Sequence, residues 1–310
     1  MRQKISVGSR DSALALWQTR WVVEQLQKQN PTIFFEIVEM KTKGDKMLDV
    51  ALAKIGDKGL FTKELEMAML RGDIDMAVHS MKDLPTELPE GLAIGAVCRR
   101  EYPGDVLISR RGLKLDELPE GALIGTSSLR RCAQLLRYRK DLRMTNLRGN
   151  INTRLRKLEE EKLDATVLAY AGVHRMGWGD RITQVLPFEI CLPAVGQGSI
   201  GVEVRDGDRE ILELVSRIDH AESRCAITAE RALLKELEGG CQIPIGALGT
   251  VENGCLKVEG VVASLDGEQL IRSSLVGETD DAAWAGIKLA EKLVHLGAGE
   301  ILRKMRQEKV

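Results

Sequence analysis

The chain has 310 residues, 45 Lys+Arg against 46 Asp+Glu, 44% hydrophobic and 29% charged content, the balance of a soluble globular protein with room for two or three domains. Its formal net charge of −1 excludes a chain-wide polybasic binder and an acidic disordered tail. No stretch approaches the roughly 20 apolar residues that span a bilayer, and Met1–Arg10 lacks the apolar run of a secretory signal, so no membrane partner is expected.

The first two-thirds alternates β-type runs with amphipathic helical stretches. Lys4–Val7 reads as a strand leading into Gly8-Ser9-Arg10-Asp11-Ser12, and a helix follows from Ala13 with Leu14, Trp17, Trp21 and Val22 at helical spacing and Asn30-Pro31 as its stop. Ile33–Met40 is a predicted strand. Lys41–Gly59, with five lysines and three glycines, is a predicted mobile loop. Leu60–Leu70 reads as a helix and Met76–His79 as a short buried strand. Beyond Glu101-Tyr102-Pro103-Gly104, strands at Leu123–Gly125 and Ala165–Ala169 alternate with helices at Ser128–Tyr138 and Asn152–Lys162. This rhythm predicts mainly parallel sheets flanked by helices. The tail differs: a helix over Ala221–Leu237, a strand meander over Ile245–Val276 with turns at Glu252-Asn253-Gly254 and Asp266-Gly267, and a closing helix from Asp281 burying Leu289, Leu293 and Leu296. The fold class is thus α/β: two α/β domains (1–98 with 198–218, and 99–197) plus a smaller C-terminal α+β domain, 219–310.

Two segments echo each other. Ile5-Ser6-Val7-Gly8-Ser9-Arg10-Asp11-Ser12 and Leu123-Ile124-Gly125-Thr126-Ser127-Ser128 each run strand, glycine, hydroxyl residues, helix. Free N–H groups at such helix starts suit anions, although plain N-capping uses the same residues. The near-zero net charge also hides a local field. Ser128–Lys157 holds eight arginines (Arg130, Arg131, Arg137, Arg139, Arg143, Arg148, Arg154, Arg156) and two lysines against Asp141, a charge of +9 that leaves −10 for the remainder. Arginine favours forked recognition of carboxylate or phosphate, whereas Arg137, Arg139 and Arg156 read as a solvated face. Only Tyr138 places an aromatic in the block, so stacking platforms for nucleic acid are scarce. A small polycarboxylate or polyphosphate fits the charge better.

Val78-His79-Ser80-Met81-Lys82-Asp83-Leu84-Pro85 places polar groups just after a buried strand, where parallel sheets bind ligands. Asp83 is a candidate general acid/base, or the side chain of an Asx-turn. The six cysteines are scattered without a CxxC pair, and the four histidines form no ligand-like pair, so no metal is expected and a reduced, cytoplasmic setting is. Cys241, between Gly239-Gly240 and Gln242-Ile243-Pro244, sits where a thiol could be presented; Cys98, Cys191 and Cys225 have the apolar neighbours of core residues.

Taken together, Arg10, Asp83, the arginine block and Cys241 resemble the porphobilinogen deaminase (hydroxymethylbilane synthase) family over essentially the whole chain. The most specific match is Glu230-Arg231-Ala232-Leu233-Leu234-Lys235-Glu236-Leu237-Glu238-Gly239-Gly240-Cys241-Gln242-Ile243-Pro244-Ile245-Gly246, joined by the Val78–Pro85 segment, Gly125–Arg131 and Asn146-Leu147-Arg148-Gly149-Asn150. The resemblance implies two periplasmic-binding-protein-like domains and a third carrying a dipyrromethane cofactor on a thioether to Cys241. It implies porphobilinogen as substrate, four units joined with loss of ammonia, and a monomer without nucleic-acid partners. Under it, Asp83 is catalytic, stabilising an azafulvenium-like electrophile and moving protons. Lys82, Ser128, Arg130, Arg131 and Arg148 hold the cofactor; Arg10, Ser12, Ser80, Thr126, Ser127, Arg154, Arg175 and Gln197 bind substrate; Lys54 and Lys58 belong to a lid. The rival reading is a non-catalytic two-domain clamp for a polyanionic metabolite, which has no use for Cys241.

Overall fold

The computed structural model describes residues 2–42, 62–237 and 243–307. The predicted loop beyond Thr42, with Lys54 and Lys58, and Cys241 itself lie outside the described residues.

Strand β1 (Lys4–Arg10) leads into helix α1 (Ala13–Gln29), capped by Ser12, whose Oγ accepts from Ala15 N. Then come β2 (Phe34–Met40), α2 (Lys63–Arg71), β3 (Met76–Ser80), a 3-10 turn at Met81–Asp83 and β4 (Leu92–Val97). The second sheet is built from β5 (Asp105–Ser109), β6 (Leu123–Gly125), α3 (Leu129–Tyr138), β7 (Arg143–Thr145), α4 (Ile151–Glu160), β8 (Ala165–Ala169), α5 (Tyr170–Arg175) and β9 (Gln184–Val185). The chain returns to the first sheet as β10 (Ile200–Arg205) and α6 (Arg209–Ser216), then runs through α7 (Ala221–Glu236) into β11 (Ile245–Glu252), β12 (Cys255–Ala263) and β13 (Leu270–Glu278) and closes with α8 (Ala282–Leu293) and α9 (Gly299–Gln307).

The two α/β sheets are topological copies. Their strand orders are β2-β1-β3-β10-β4 and β7-β6-β8-β5-β9. In each, three strands form a parallel β–α–β core and a fourth position is filled by an antiparallel strand, β10 or β5, drawn from elsewhere in the chain. The sheets are therefore mixed: the parallel cores follow the predicted rhythm, and the inserted strands come from segments whose apolar runs carry no sign of direction. The echo segments occupy equivalent places, β1 into α1 and β6 into α3.

The chain forms two compact units, one comprising the described residues up to Glu101 with Gly198–Arg224, the other Tyr102–Gln197 with the chain from Cys225 onward. The residues from Cys225 onward group with the second unit. That part keeps a core of its own, with Leu233, Leu256, Val258, Val262, Leu289 and Leu293 all essentially inaccessible, each such side chain stabilising the fold by about 1.5–3 kcal/mol on burial. The β11–β12 turn falls at Asn253-Gly254, both with positive φ, as a two-residue hairpin requires. Leu296, expected in the core, is 49% exposed, because Gly297 (φ 110) kinks the chain between α8 and α9 and breaks the helical period.

The β12–β13 turn seats the C-terminal sheet on α3. A Cβ on Gly267 (φ +74) would lie 2.5 Å from Ala133 O and 2.6 Å from Arg137 N, and Arg137 Nη1 donates to Glu268 O at 3.1 Å. Gly267→Ala is therefore expected to destabilise the protein by about 1–3 kcal/mol, with hydrogen exchange rising first at the α3–turn contact; unchanged exchange there would refute the seating role.

Candidate active site

In the first unit, the carboxyl end of β3 and the start of α1 meet around a small hollow of about 50 Å³ lined by Arg10, Ser12, Gln18, His79, Ser80 and Asp83. Asp83 ends the 3-10 turn, which is closed by Leu84 N donating to Met81 O at 3.3 Å. The turn is made by the backbone, and among the described residues the Asp83 carboxylate has one ion-pair contact, Arg10 Nη1 at 3.8 Å. That separation is too long for a hydrogen bond and leaves the carboxylate available to a ligand, which sets aside the Asx-turn reading. Lys82 lies on the same turn, half-buried. Ser80 Oγ exchanges hydrogen bonds with the Gln18 amide at 3.0 and 3.1 Å. Gln18 is 2% exposed, a buried amide on the inner face of α1 whose polarity amid Trp17, Trp21 and Val22 was its sequence signal. On the other face of β3, His79 Nε2 lies 3.0 Å from Glu203 Oε2, both side chains buried.

In the second unit, two loops are tied side by side. Thr126 N donates to Thr145 O at 2.9 Å, and Ser127 Oγ donates to Asn146 Oδ1 (2.5 Å) and Leu147 O (2.7 Å). Ser128 Oγ caps α3 by accepting from Arg131 N, and Asn150 Oδ1 caps α4 by accepting from Thr153 N. The hydroxyls thus do the capping that the sequence left as one alternative, while Ser128 keeps its own O–H to donate. α1, α3 and α4 have no acidic residue in the first turn, nor do α5 and α8, whereas α2, α6, α7 and α9 do. Acids normally compensate the positive end of a helix, so the starts of α1, α3 and α4 are among those without a first-turn counter-charge.

The arginine block divides by direction. Arg156 pairs with Glu160 on the surface, as expected of a solvated face; Arg139 departs from that expectation, its side chain only 17% exposed because it pairs with Asp141 and donates to Leu115 O and Leu118 O. Arg130, Arg131 and Arg148 point inward, each 8% exposed or less. Arg130 and Arg131 both bind the fully buried Asp105 at 2.7 Å. Arg148 differs: its Nη1 is buried without a hydrogen-bond partner among the described residues, as is Arg130 Nε. Arg154 is half-buried with Nε donating to Gly149 O at 2.8 Å, and Arg175 ends α5. Gln197, expected to touch substrate, is buried at 1% exposure, and its Nε2 donates to Pro103 O (2.7 Å) and Asp105 Oδ1 (2.9 Å). Asp105 had no motif around it and was not legible as part of the site.

Burial alone would raise the Asp105 carboxyl, but the adjoining charges of Arg130 and Arg131 outweigh it and hold the group well below the usual carboxylate range. Burial and then the Asp105 charge push the Cys191 thiol up to about 12, and burial pushes Cys132 up to about 11. Both stay neutral thiols, as expected for Cys191 from its apolar neighbours. The five described cysteines are all free. A larger open hollow of about 820 Å³ on the C-terminal sheet, lined by Thr250, Glu252, Cys255, Lys257 and Arg272 among others, contains none of the predicted site residues. No group of metal-ligating side chains occurs among the described residues, and no described helix is long and apolar enough to cross a membrane.

Residues 5–213 match the model of the porphobilinogen deaminase dipyrromethane cofactor binding domain, and residues 224–295 match that family's C-terminal domain. The chain belongs to the porphobilinogen deaminase family. It is 72% identical over 308 residues to the porphobilinogen deaminase of Pelotomaculum thermopropionicum, with 99% of each chain covered, and 63% identical over 308 residues to that of Carboxydothermus hydrogenoformans, again with 99% of each covered. Among solved structures, the periplasmic VFT2 domain of Bordetella pertussis BvgS is similar at a TM-score of 0.44 and 15% identity, covering 70% of this chain and 86% of that one.

A buried guanidinium without an anion costs stability, so Arg148→Met is expected to stabilise the cofactor-free chain by about 1–3 kcal/mol, measured by urea unfolding, while removing a ligand-binding donor. The Asp105 carboxyl is depressed on folding, so its stabilisation is fully present above about pH 5 and fades as pH falls below about 4. The urea midpoint should fall over that range, and less steeply in Asp105→Asn.

Proposed function

We propose that this chain is a porphobilinogen deaminase: it joins four porphobilinogen molecules head to tail, loses ammonia at each addition, and releases the linear tetrapyrrole hydroxymethylbilane with water. The observation that carries this reading is Arg148. In a chain of this family, a buried guanidinium with an unpartnered Nη1, just before the acid-free start of α4, fits a ligand carboxylate. Each pyrrole unit of the substrate brings an acetate and a propionate, so the donor chemistry suits the ligand.

The residues present fit the dipyrromethane group. Arg130, Arg131, Arg148, Lys82 and the Ser128 hydroxyl would hold its carboxylates, and Cys241 would carry it through a thioether. When bound, dipyrromethane supplies the terminal pyrrole to which the first unit is joined. Cys241 in this reading is an anchor and takes no part in turnover.

Asp83 acts on the incoming porphobilinogen. Its carboxylate accepts hydrogen bonds from the pyrrole N–H and the aminomethyl group. As the C–N bond breaks and its electron pair leaves on ammonia, positive charge spreads over the ring, and a fixed carboxylate beside the ring nitrogen stabilises it. The same carboxylate takes up and passes on the proton lost when the new bond forms. Arg10 supplies a guanidinium for a substrate carboxylate beside Asp83, and the Ser12 hydroxyl, which accepts from Ala15 N, keeps its own hydrogen to donate. Ser80, fixed by Gln18, shapes the floor of the hollow. Thr126 and Ser127 contribute by holding the two loops together, and Arg154 and Arg175 add charge for the lengthening product. We further assign a monomer and a cytoplasmic setting, with which the free cysteines agree.

Intact-mass measurement of the purified protein tests the assignment: an adduct is expected on the wild-type chain and none on Cys241→Ser, and an unmodified wild-type mass would favour a simple anion clamp. Asp83→Ala is expected to lower ammonia release by about 100-fold or more with an unchanged melting transition. Near-normal release by a folded Asp83→Ala protein would remove the assigned role.

A further inference from the structure

Asp105 has no part in the chemistry above, yet it is the most heavily engaged side chain in the second unit's site. It opens β5 and is wholly inaccessible. Oδ2 accepts from Arg130 Nη1 at 2.7 Å and from the Cys191 thiol at 3.3 Å. Oδ1 accepts from Arg131 Nη2 (2.7 Å), Arg131 Nε (3.1 Å) and Gln197 Nε2 (2.9 Å). A carboxylate offers about four acceptor directions, so these donors fill it. Backbone carbonyls fix the other ends: Arg130 Nη1 also donates to Leu192 O and Arg131 Nη1 to Val167 O, at 2.7 and 2.8 Å. One turn further along α3, the Gln134 amide bonds both the N–H and the carbonyl of Leu192.

Two guanidiniums against one carboxylate leave the triad at +1. That explains how two adjacent arginines can be buried before any ligand arrives, since unpaired burial of both would be prohibitive. It also leaves each fork part-used, with Arg130 Nε among the donors lacking a partner. A planar fork held along one edge has its remaining N–H groups aimed in fixed directions.

We propose that Asp105 is the positioning residue of the carboxylate-binding site: it takes the inner N–H groups of Arg130 and Arg131, fixes both guanidinium planes, and leaves their remaining donors pre-aimed at the carboxylates of a pyrrole ligand, with Gln197 completing its shell. This rests on the function proposed above. Pre-organised donors lose little freedom on binding, so the effect belongs in ligand retention and KM, and little of it in kcat.

The test uses the full-length protein with arginine-selective 15N labelling. In the wild type, the Nε–H signals of Arg130 and Arg131, assigned from single Arg→Lys variants, should be sharp and protected from solvent exchange. Solvent-rate exchange at both would overturn the proposal without any Asp105 variant or any turnover. In Asp105→Asn, and in Asp105→Glu, which keeps the charge but displaces it by a methylene, that protection should be lost. The adduct-bearing fraction by intact mass should fall or KM for porphobilinogen should rise, by about tenfold in either case, with kcat of the loaded fraction within about threefold. Variants that melt at a lower temperature but load fully and keep the wild-type KM would reduce Asp105 to a packing residue. If the wild type carries no adduct and turns over no porphobilinogen, the functional reading fails, while protected guanidinium signals would still support the positioning of the arginines.

Discussion

A guanidinium taken out of water has to find an anion, and the second unit is arranged around that requirement. Its three inward arginines meet it in two ways. Arg130 and Arg131 share a carboxylate supplied by the protein, at 2.7 Å each. Arg148, nearly as buried, has none among the described residues and keeps an orphaned Nη1. The difference separates charge that can be stored in the resting fold from charge that a ligand must neutralise. A site built only of the second kind would cost too much stability to fold empty; a site built only of the first would have no unmet demand for a polycarboxylate.

The same economy governs the helix starts. α2, α6, α7 and α9 begin with acidic residues that offset the positive end of the helix, while α1, α3, α4, α5 and α8 have none. The helices preceded by the candidate site segments, α1, α3 and α4, all fall in the second group, so no first-turn acid competes with an anion there. Topological duplication relates two of these starts. β1–α1 and β6–α3 occupy the same position in sheets of the same order, and each presents a capped helix start at the carboxyl end of a parallel strand, where open α/β sheets bind ligands.

Local signals carried much of this. Ser12 and Ser128 were readable as caps, Asn253-Gly254 as a hairpin turn, and the parallel cores as alternating strand and helix patterns, because each depends on residues close in sequence. The split of the arginine block was partly readable, since Arg137 and Arg156 sit on helix faces that meet solvent, whereas Arg139 is drawn in by the carbonyls of Leu115 and Leu118, which are more than twenty positions away. What escaped depends on distant partners. Strands β5 and β10 are apolar runs whose direction is set by pairing with residues far along the chain. Asp105 acquires its meaning from Arg130, Arg131, Cys191 and Gln197, between 25 and 92 positions away. Gln197 entered only through the family resemblance; the carbonyls of Pro103 and Gly104, to which its amide donates, lie in a different part of the chain.

Buried polar groups therefore divide this site more sharply than exposed ones do. The Asp83 carboxylate, one-third exposed with a single loose contact at 3.8 Å, can exchange hydrogen bonds with a small molecule as it comes and goes. The Asp105 carboxylate, saturated with donors, cannot, and its fixed charge keeps neighbouring guanidiniums in place while the ligand changes. Under the function proposed above, a reaction that repeats the same step on a product gaining two carboxylates per cycle would call for both behaviours, an accessible acid and cationic donors that do not rearrange as charge accumulates. The first unit holds a carboxylate of the accessible kind and the second unit guanidiniums of the fixed kind, each at the carboxyl end of its own copy of the same sheet.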